Sequence, residues 1–309
     1  MIIKRIEIKD FLVFKDVFTL DFCPGVNIFI GENGTGKTTL LRAIHMWAKK
    51  TMPNGSSDDA PFVGFLPLLT SEGHQKTRDS IIMESGDIKN CVYIPEKDIL
   101  EHAKGLLPFI MKKQTSFTQI YEDILVAAQD VPTQKQSDTQ RAIGQKIAGI
   151  IDGYIEWVPN DGMYYTIKTN GSRIPFIYEA SGYKKLGLLG LLLSCGQLEP
   201  GTVLLWDEPE NSLNPELVPV LVDILIELAN SGVQIFIATH DYNFARYFDV
   251  RKNKGVSALF FNFSKTEDGN IVCNSAHAYI KIQNNLFERA SADLFKAVVA
   301  DAMGVLNDE

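Results

Sequence analysis

The chain has 309 residues, 45% of them hydrophobic and 22% charged, with a formal net charge of −8, a balance that suits an ordinary globular protein of one large α/β domain or two smaller ones. No apolar run approaches the ~20 residues that cross a bilayer, and Met1 to Lys9 alternates instead of forming a leader's apolar block, so the expected location is the cytoplasm, with no membrane partner. The acid excess argues against a surface that attracts nucleic acid as a whole, although a local basic groove stays open.

In chain order, Met1 to Lys9 predicts a strand and Phe18 to Phe22 a second one. The Pro24-Gly25 turn then leads into a short buried strand, Val26 to Ile30. Directly after it, Gly31-Glu32-Asn33-Gly34-Thr35-Gly36-Lys37-Thr38-Thr39 fits the phosphate-binding pattern G-x-x-x-x-G-K-[ST], and Leu40 to Trp47 reads as an apolar helix. A strand feeding a Gly-rich loop that opens a helix is the setting this motif requires. Gly34 and Gly36 let backbone N–H groups turn onto phosphate oxygens, where the positive end of the helix dipole also points. Lys37 then reaches the β- and γ-phosphates and the Thr38 hydroxyl ligates Mg²⁺.

Thr51 to Gly64, rich in Pro, Gly, Ser and Asp, predicts a loop, and Cys91 to Ile94 a short strand ended by Pro95. From Glu96 to about Ile151 apolar residues recur three and four apart, at Ile99, Leu106, Phe109, Ile120, Ile124 and Ile150, which predicts a helical insertion over 97–150. Its charges balance, and Lys49-Lys50 and Lys112-Lys113 lack the aromatic interleaving of a single-strand groove. Met163 to Lys168 and Arg173 to Tyr178 flank Asn170-Gly171, a hairpin signal. Ala180-Ser181-Gly182-Tyr183-Lys184-Lys185 opens a strongly apolar helix, making a second anion-binding point of Ser181, Gly182 and the helix N-terminus.

Val203 to Trp206 and Val233 to Ala238 are continuous apolar runs, as in parallel strands covered on both faces, with an amphipathic helix from Pro215 to Ala229 between them. The first run ends in Asp207-Glu208, which sets Asp207 at the carboxyl end of a buried strand, able to hold Mg²⁺ through water. Glu208 is placed to orient or deprotonate the attacking water. His240, after the second run, is placed to donate to the γ-phosphate. Ala258 to Phe263 and Ile271 to Cys273 predict a hairpin, and a last helix runs from about Leu286 to Val305. On that helix Phe287, Leu294, Val298 and Met303 form one apolar stripe, which the ordinary behaviour of surface helices would pack on the protein's own sheet. The four cysteines, Cys23, Cys91, Cys195 and Cys273, show neither disulfide nor zinc spacing and read as buried thiols.

Taken together, the loop Gly31–Thr39 (Walker A), Ser181-Gly182, the strand and carboxylates Val203–Glu208 (Walker B), the turn Asn211 to Pro215 and His240 resemble the ABC-type ATPases, in particular the SMC/RecF/OLD-like branch of AAA-family ATPases. The resemblance implies a P-loop NTPase fold: a mostly parallel core sheet with an antiparallel β subdomain and the helical insertion, all in one domain over 1–309 that closes with a C-terminal helix at 285–309. It implies an ATPase with ATP and Mg²⁺ as cofactors. It also implies a homodimer formed on ATP binding, in which Ser181 and Gly182 act on the nucleotide of the partner chain, in a bacterial DNA-repair or anti-phage system. AAA+ ring ATPases fit worse, because their two Walker motifs lie much closer than the roughly 170 residues between Lys37 and Asp207. The signature reads Ser-Gly-Tyr-Lys-Lys, unlike the Ser-Gly-Gly-Gln of transporter heads. No glutamine loop is legible: Gln75 sits in a polar stretch, and Glu96 is a weak stand-in. Two readings of the output stay open, an ATP-driven dimerisation engine and a slow ATP-dependent switch that regulates a protein effector such as a nuclease.

Overall fold

The computed structural model describes residues 2–52, 81–106, 119–133, 136–252 and 255–303. Its centre is a six-stranded sheet containing β3 (Val26–Gly31), β5 (Asn90–Ile94), β9 (Thr202–Asp207), β10 (Gln234–Ala238), β11 (Ala258–Lys265) and β12 (Ile271–Ala276). The spatial order is β12-β11-β3-β10-β9-β5, parallel throughout except for the β11–β12 hairpin. Each central strand is apolar on both sides because both faces are covered. In β3, Val26, Ile28 and Ile30 enter one hydrophobic cluster while Phe29 enters the other.

On the first face lie α3 (Asp138–Ile151), α4 (Ser181–Ser194), α5 (Val218–Asn230) and α6 (Tyr242–Arg251), whose Ile147, Leu189, Leu225 and Phe244 meet Leu204, Trp206 and Ile235 of the sheet. On the second lie α1 (Lys37–Thr51) and a small antiparallel sheet of order β2-β1-β4, with β1 at Ile3–Ile8, β2 at Phe18–Asp21 and β4 at Ile81–Ser85. Two buried polar side chains join these layers. Gln234 of β10 accepts from the Ile3 amide at 2.7 Å and donates to the carbonyls of Ile3 and Cys23 at 2.8 Å. Asn27 of β3 is bonded to both the amide and the carbonyl of Cys23. Each amide satisfies backbone groups that would otherwise be buried unpaired.

Within 97–150 the structure describes a 3₁₀ turn at Leu100–His102, α2 (Gln119–Ala127) and α3, the last started by a capping box in which Ser137 and Gln140 satisfy each other's amides. Ile99, Leu106, Ile124 and Ile143 share the cluster of Leu204 and Trp206, and Ile120 enters the opposite one. Ile150 is half-buried, whereas Phe109 and Lys112-Lys113 lie outside the described residues. The expected loop at Thr51 to Gly64 also lies outside them from residue 53, Thr51 itself closing α1. The Asn170-Gly171 hairpin forms between β7 (Met163–Lys168) and β8 (Arg173–Pro175), and a further strand, β6 (Gly153–Val158), completes an antiparallel sheet of order β6-β7-β8. All four cysteines are free thiols, three buried and Cys273 half-buried.

One expectation is corrected. The stripe on α7 (Leu286–Ala302) does not pack on the sheet: Leu294, Val298 and Met303 are 66%, 57% and 75% exposed, and Phe295 beside them 69%. Asn285 caps the helix through the amides of Phe287 and Glu288, and Phe287 packs against the core. No residue of α7 is buried, and among the described residues no sheet covers its apolar face.

Candidate nucleotide site

The loop Gly31–Thr39 joins β3 to α1 at the carboxyl edge of the parallel sheet. Gly36 has φ +92°, and a Cβ there would stand 2.7 Å from Val13 Cγ2 and 2.8 Å from Phe14 Cζ, so both handedness and space require glycine. Thr35 donates to the Glu32 carbonyl at 2.7 Å and closes the loop on itself. Glu32, Asn33 and Gly34 are exposed along its crest, and Thr38 and Thr39 are half-buried at the helix start. No side chain caps α1 and its first turn holds no acid, which leaves its amides and dipole directed at an anion. Lys37 Nζ donates to the carbonyls of Gly31 and Glu32, each at 2.8 Å, two of the ammonium's three protons. Burial pulls its pKa down to about 8, against the opposing pull of Asp207, Glu208 and Glu32.

Strand β10 lies between β3 and β9, so Asp207 reaches the loop across one intervening strand. Its Oδ1 accepts from Thr38 Oγ1 at 3.1 Å and its Oδ2 from the Tyr93 hydroxyl at 3.3 Å. Burial raises this carboxyl, opposed by those two hydrogen bonds and by the charge of Arg42. Thr38 and Asp207 are hard oxygen ligands side by side, the donor set that Mg²⁺ takes when phosphates supply the rest of its shell.

Glu208 adopts φ +49°, a left-handed backbone that costs a non-glycine residue about 1–2 kcal/mol. The peptide is held there from three sides: its N–H donates to the Ala238 carbonyl at 2.8 Å, and its carbonyl accepts from the Asn211 amide at 3.1 Å and from Lys185 Nζ at 2.8 Å. This twist turns the side chain toward β10, where Oε1 meets His240 Nε2 at 3.2 Å. Burial, then the charges of Glu96 and Asp207, raise the Glu208 carboxyl; burial and Lys37 lower the His240 ring. A ring lowered in this way is neutral at pH 7, and its Nε2 faces the Glu208 carboxyl at close range.

Lys37, Thr38, Asp207, Glu208 and His240 therefore converge from the ends of β3, β9 and β10. Ser181 is exposed at the start of α4 and lines a cleft with Glu96, Lys184, Lys185, Asn211 and Ser212, while Gly182 is buried against Leu213. Several neighbours were not legible beforehand. Tyr93 and Arg42 flank Asp207, Lys185 grips the Glu208 carbonyl, and Glu210 bonds Thr239 and His240. Their signal is weak because a tyrosine in a strand or a lysine in a helix is common, and only strand order brings these to one edge. Glu96, the weak stand-in, lies 3.4 Å from Asn211 and close enough to raise Glu208. Gln75 lies outside the described residues.

Known proteins resemble this chain in sequence and in fold. Residues 5–170 match the family described as an AAA domain, and residues 107–246 one described as an AAA domain, putative AbiEii toxin, Type IV TA system. A DNA replication and repair protein RecF from Lactococcus lactis subsp. cremoris (strain MG1363) is 50% identical over 48 residues, 16% of this chain and 13% of that protein. The glutamate/aspartate import ATP-binding protein GltL of Escherichia coli (strain K12) is 42% identical over 43 residues, 14% of this chain and 18% of that protein. The chain thus matches less than a fifth of the length of either relative. Among solved structures, an Smc head bound to the C-winged helix domain of ScpA superposes with a TM-score of 0.53 at 16% identity, covering 89% of this chain and 98% of that one. An Smc head with an extended coiled coil, bound to the C-terminal domain of ScpA and derived from Pyrococcus furiosus, gives 0.50 at 13% identity, covering 96% and 99%. With its phosphate loop seated at the edge of a core sheet folded like that of the Smc heads, the chain belongs to the AAA-domain family and is a P-loop ATPase.

Proposed function

We propose that the chain hydrolyses ATP at the convergence of Lys37, Thr38, Asp207, Glu208 and His240, and that ATP closes two copies of it into a dimer. The observation that carries this reading is the Glu208–His240 contact of 3.2 Å beside the Thr38–Asp207 pair. The backbone amides of Gly31–Thr39 cradle the phosphates, and Lys37 exchanges loop carbonyls for β- and γ-phosphate oxygens. Thr38 and Asp207 hold Mg²⁺, which neutralises phosphate charge when bound. Glu208, its basicity raised, orients the water and accepts its proton, while neutral His240 donates toward the γ-phosphate. Ser181, exposed at the start of α4, acts with Gly182 on the nucleotide of the second copy.

The test is steady-state ATP turnover together with size-exclusion chromatography. Lys37→Ala is expected to abolish turnover, and Glu208→Gln to lower kcat by at least ~100-fold, in line with loss of a general base, while trapping an ATP-dependent dimer. Unchanged turnover in Lys37→Ala, or a Glu208→Gln protein that ATP never dimerises, refutes it.

A second reading, a slow ATP switch acting through a protein effector, is favoured by the exposed apolar face of α7. The docking surfaces would then be 97–150 and 285–309 of the single domain 1–309. The Smc heads, which bind ScpA domains, offer a precedent for such partners, and the RecF likeness for a DNA-repair setting.

A further inference from the structure

The turn that follows Glu208 carries a second carboxylate which the proposed hydrolysis does not use. Oε1 of Glu210 accepts from Thr239 Oγ1 at 2.5 Å and from the His240 amide at 3.3 Å. The same Thr239 hydroxyl accepts from the Asp241 amide at 3.0 Å, and Asp241 caps α6 through the Phe244 amide at 2.6 Å. The Thr239 amide donates to the Phe29 carbonyl of β3 at 3.0 Å. One carboxylate oxygen thus reaches, directly or through one hydroxyl, the three residues that lead from β10 into α6.

The other oxygen, Oε2, is buried and finds no hydrogen-bond partner among the described residues. Burying a carboxyl with half its acceptors unmet is unfavourable, and an apolar side chain would avoid that cost. What the carboxylate supplies in return is the placing of the Thr239–His240 backbone. Two side chains of one turn therefore grip the next turn at different points, Glu208 on the imidazole and Glu210 on the peptide that carries it. A displacement of about 1 Å at such a place can cost on the order of 100-fold in rate.

We infer that Glu210 is a positioning residue that fixes the His240 ring against Glu208, and so governs the rate of hydrolysis and not the affinity for ATP. The inference rests on the hydrolytic roles proposed for Glu208 and His240. A fluorescent ATP analogue gives binding and phosphate release gives kcat, each measured on the full chain. Glu210→Ala is expected to lower kcat by about 10- to 100-fold with binding changed by less than about 2-fold. Glu210→Gln, which keeps Oε1 as an acceptor, restores most of the rate. Because Glu210 acts only through the placing of the His240 ring, Glu210→Ala combined with His240→Ala is no slower than His240→Ala alone.

Wild-type kcat in Glu210→Ala, parallel loss of binding and turnover, or additive losses in the double variant overturns the role of Glu210. Should Glu210→Ala fail to fold, Thr239→Val and Glu210→Gln take its place: kcat lost in the first and kept in the second supports the inference, and the reverse overturns it. Wild-type turnover in both Glu208→Gln and His240→Ala overturns the proposed site as well, whereas losses there beside an unaffected Glu210→Ala overturn the inference alone.

Discussion

Lys37 titrates near pH 8 in this fold because burial strips water from its ammonium more effectively than Asp207, Glu208 and Glu32 compensate. Its charged form, needed against phosphate, is full well below that value and is lost as pH rises through it. Glu208 is shifted the other way, upward from the ordinary carboxylate, so its base form is present at neutral pH and lost as pH falls. A bell-shaped profile of kcat/KM is expected, with an alkaline limb near pH 8; the corresponding limb in kcat moves upward, since bound phosphates hold the proton on Lys37. A kcat/KM flat to pH 10 would contradict this. Gly36 offers a second residue-scale test. Gly36→Ala places a methyl group against Val13 and Phe14 at positive φ, a strain of about 1–3 kcal/mol. ATP affinity measured by titration should fall at least about 10-fold, and unchanged affinity would show that the loop relaxes freely.

Two leucines separate what elements do for the fold from what they leave open. Leu204 in β9 is fully buried in the hydrophobic cluster that α5 also enters, and Leu294 on α7 stands in solvent. Leu204→Ala should cost about 2–5 kcal/mol in chemical denaturation, and Leu294→Asp less than about 0.5 kcal/mol. A large loss from the second would mean that α7 has a cover within the monomer. The difference between these helices was not legible beforehand, since an apolar stripe has the same spacing whether or not a sheet lies under it. Strand β6 was missed for a related reason: Gly153–Val158 becomes a strand through its pairing with β7, and its own composition is ambiguous. The phosphate loop, by contrast, was legible, because the positive φ at Gly31, Gly34 and Gly36 is a local demand that fixes the glycine spacing.

At the scale of the whole molecule, sequence spacing brought the right side chains into view without giving their arrangement. Nothing in Val203–Trp206 or Val233–Ala238 says that β10 stands between β3 and β9, yet that order puts His240 against Glu208 and sets Tyr93, from β5, beside Asp207. The left-handed backbone of Glu208 was equally out of reach, as it depends on Ala238, Asn211 and Lys185 all gripping one peptide.

The strand that precedes the phosphate loop has no sequence neighbour beside it. β3 is flanked by β10 and β11, and Gly31 pairs with Phe263. Ile3, near the start of the chain, is tied through Gln234 to a strand 231 residues away. During synthesis the loop therefore emerges early without the framework that shapes it. A ribosome moving at about 5–20 residues per second takes on the order of ten seconds or more to supply that framework. Throughout that interval both edges of β3 are without their partner strands, so the stretch of the chain that leads into the phosphate loop depends on protection while it is being made.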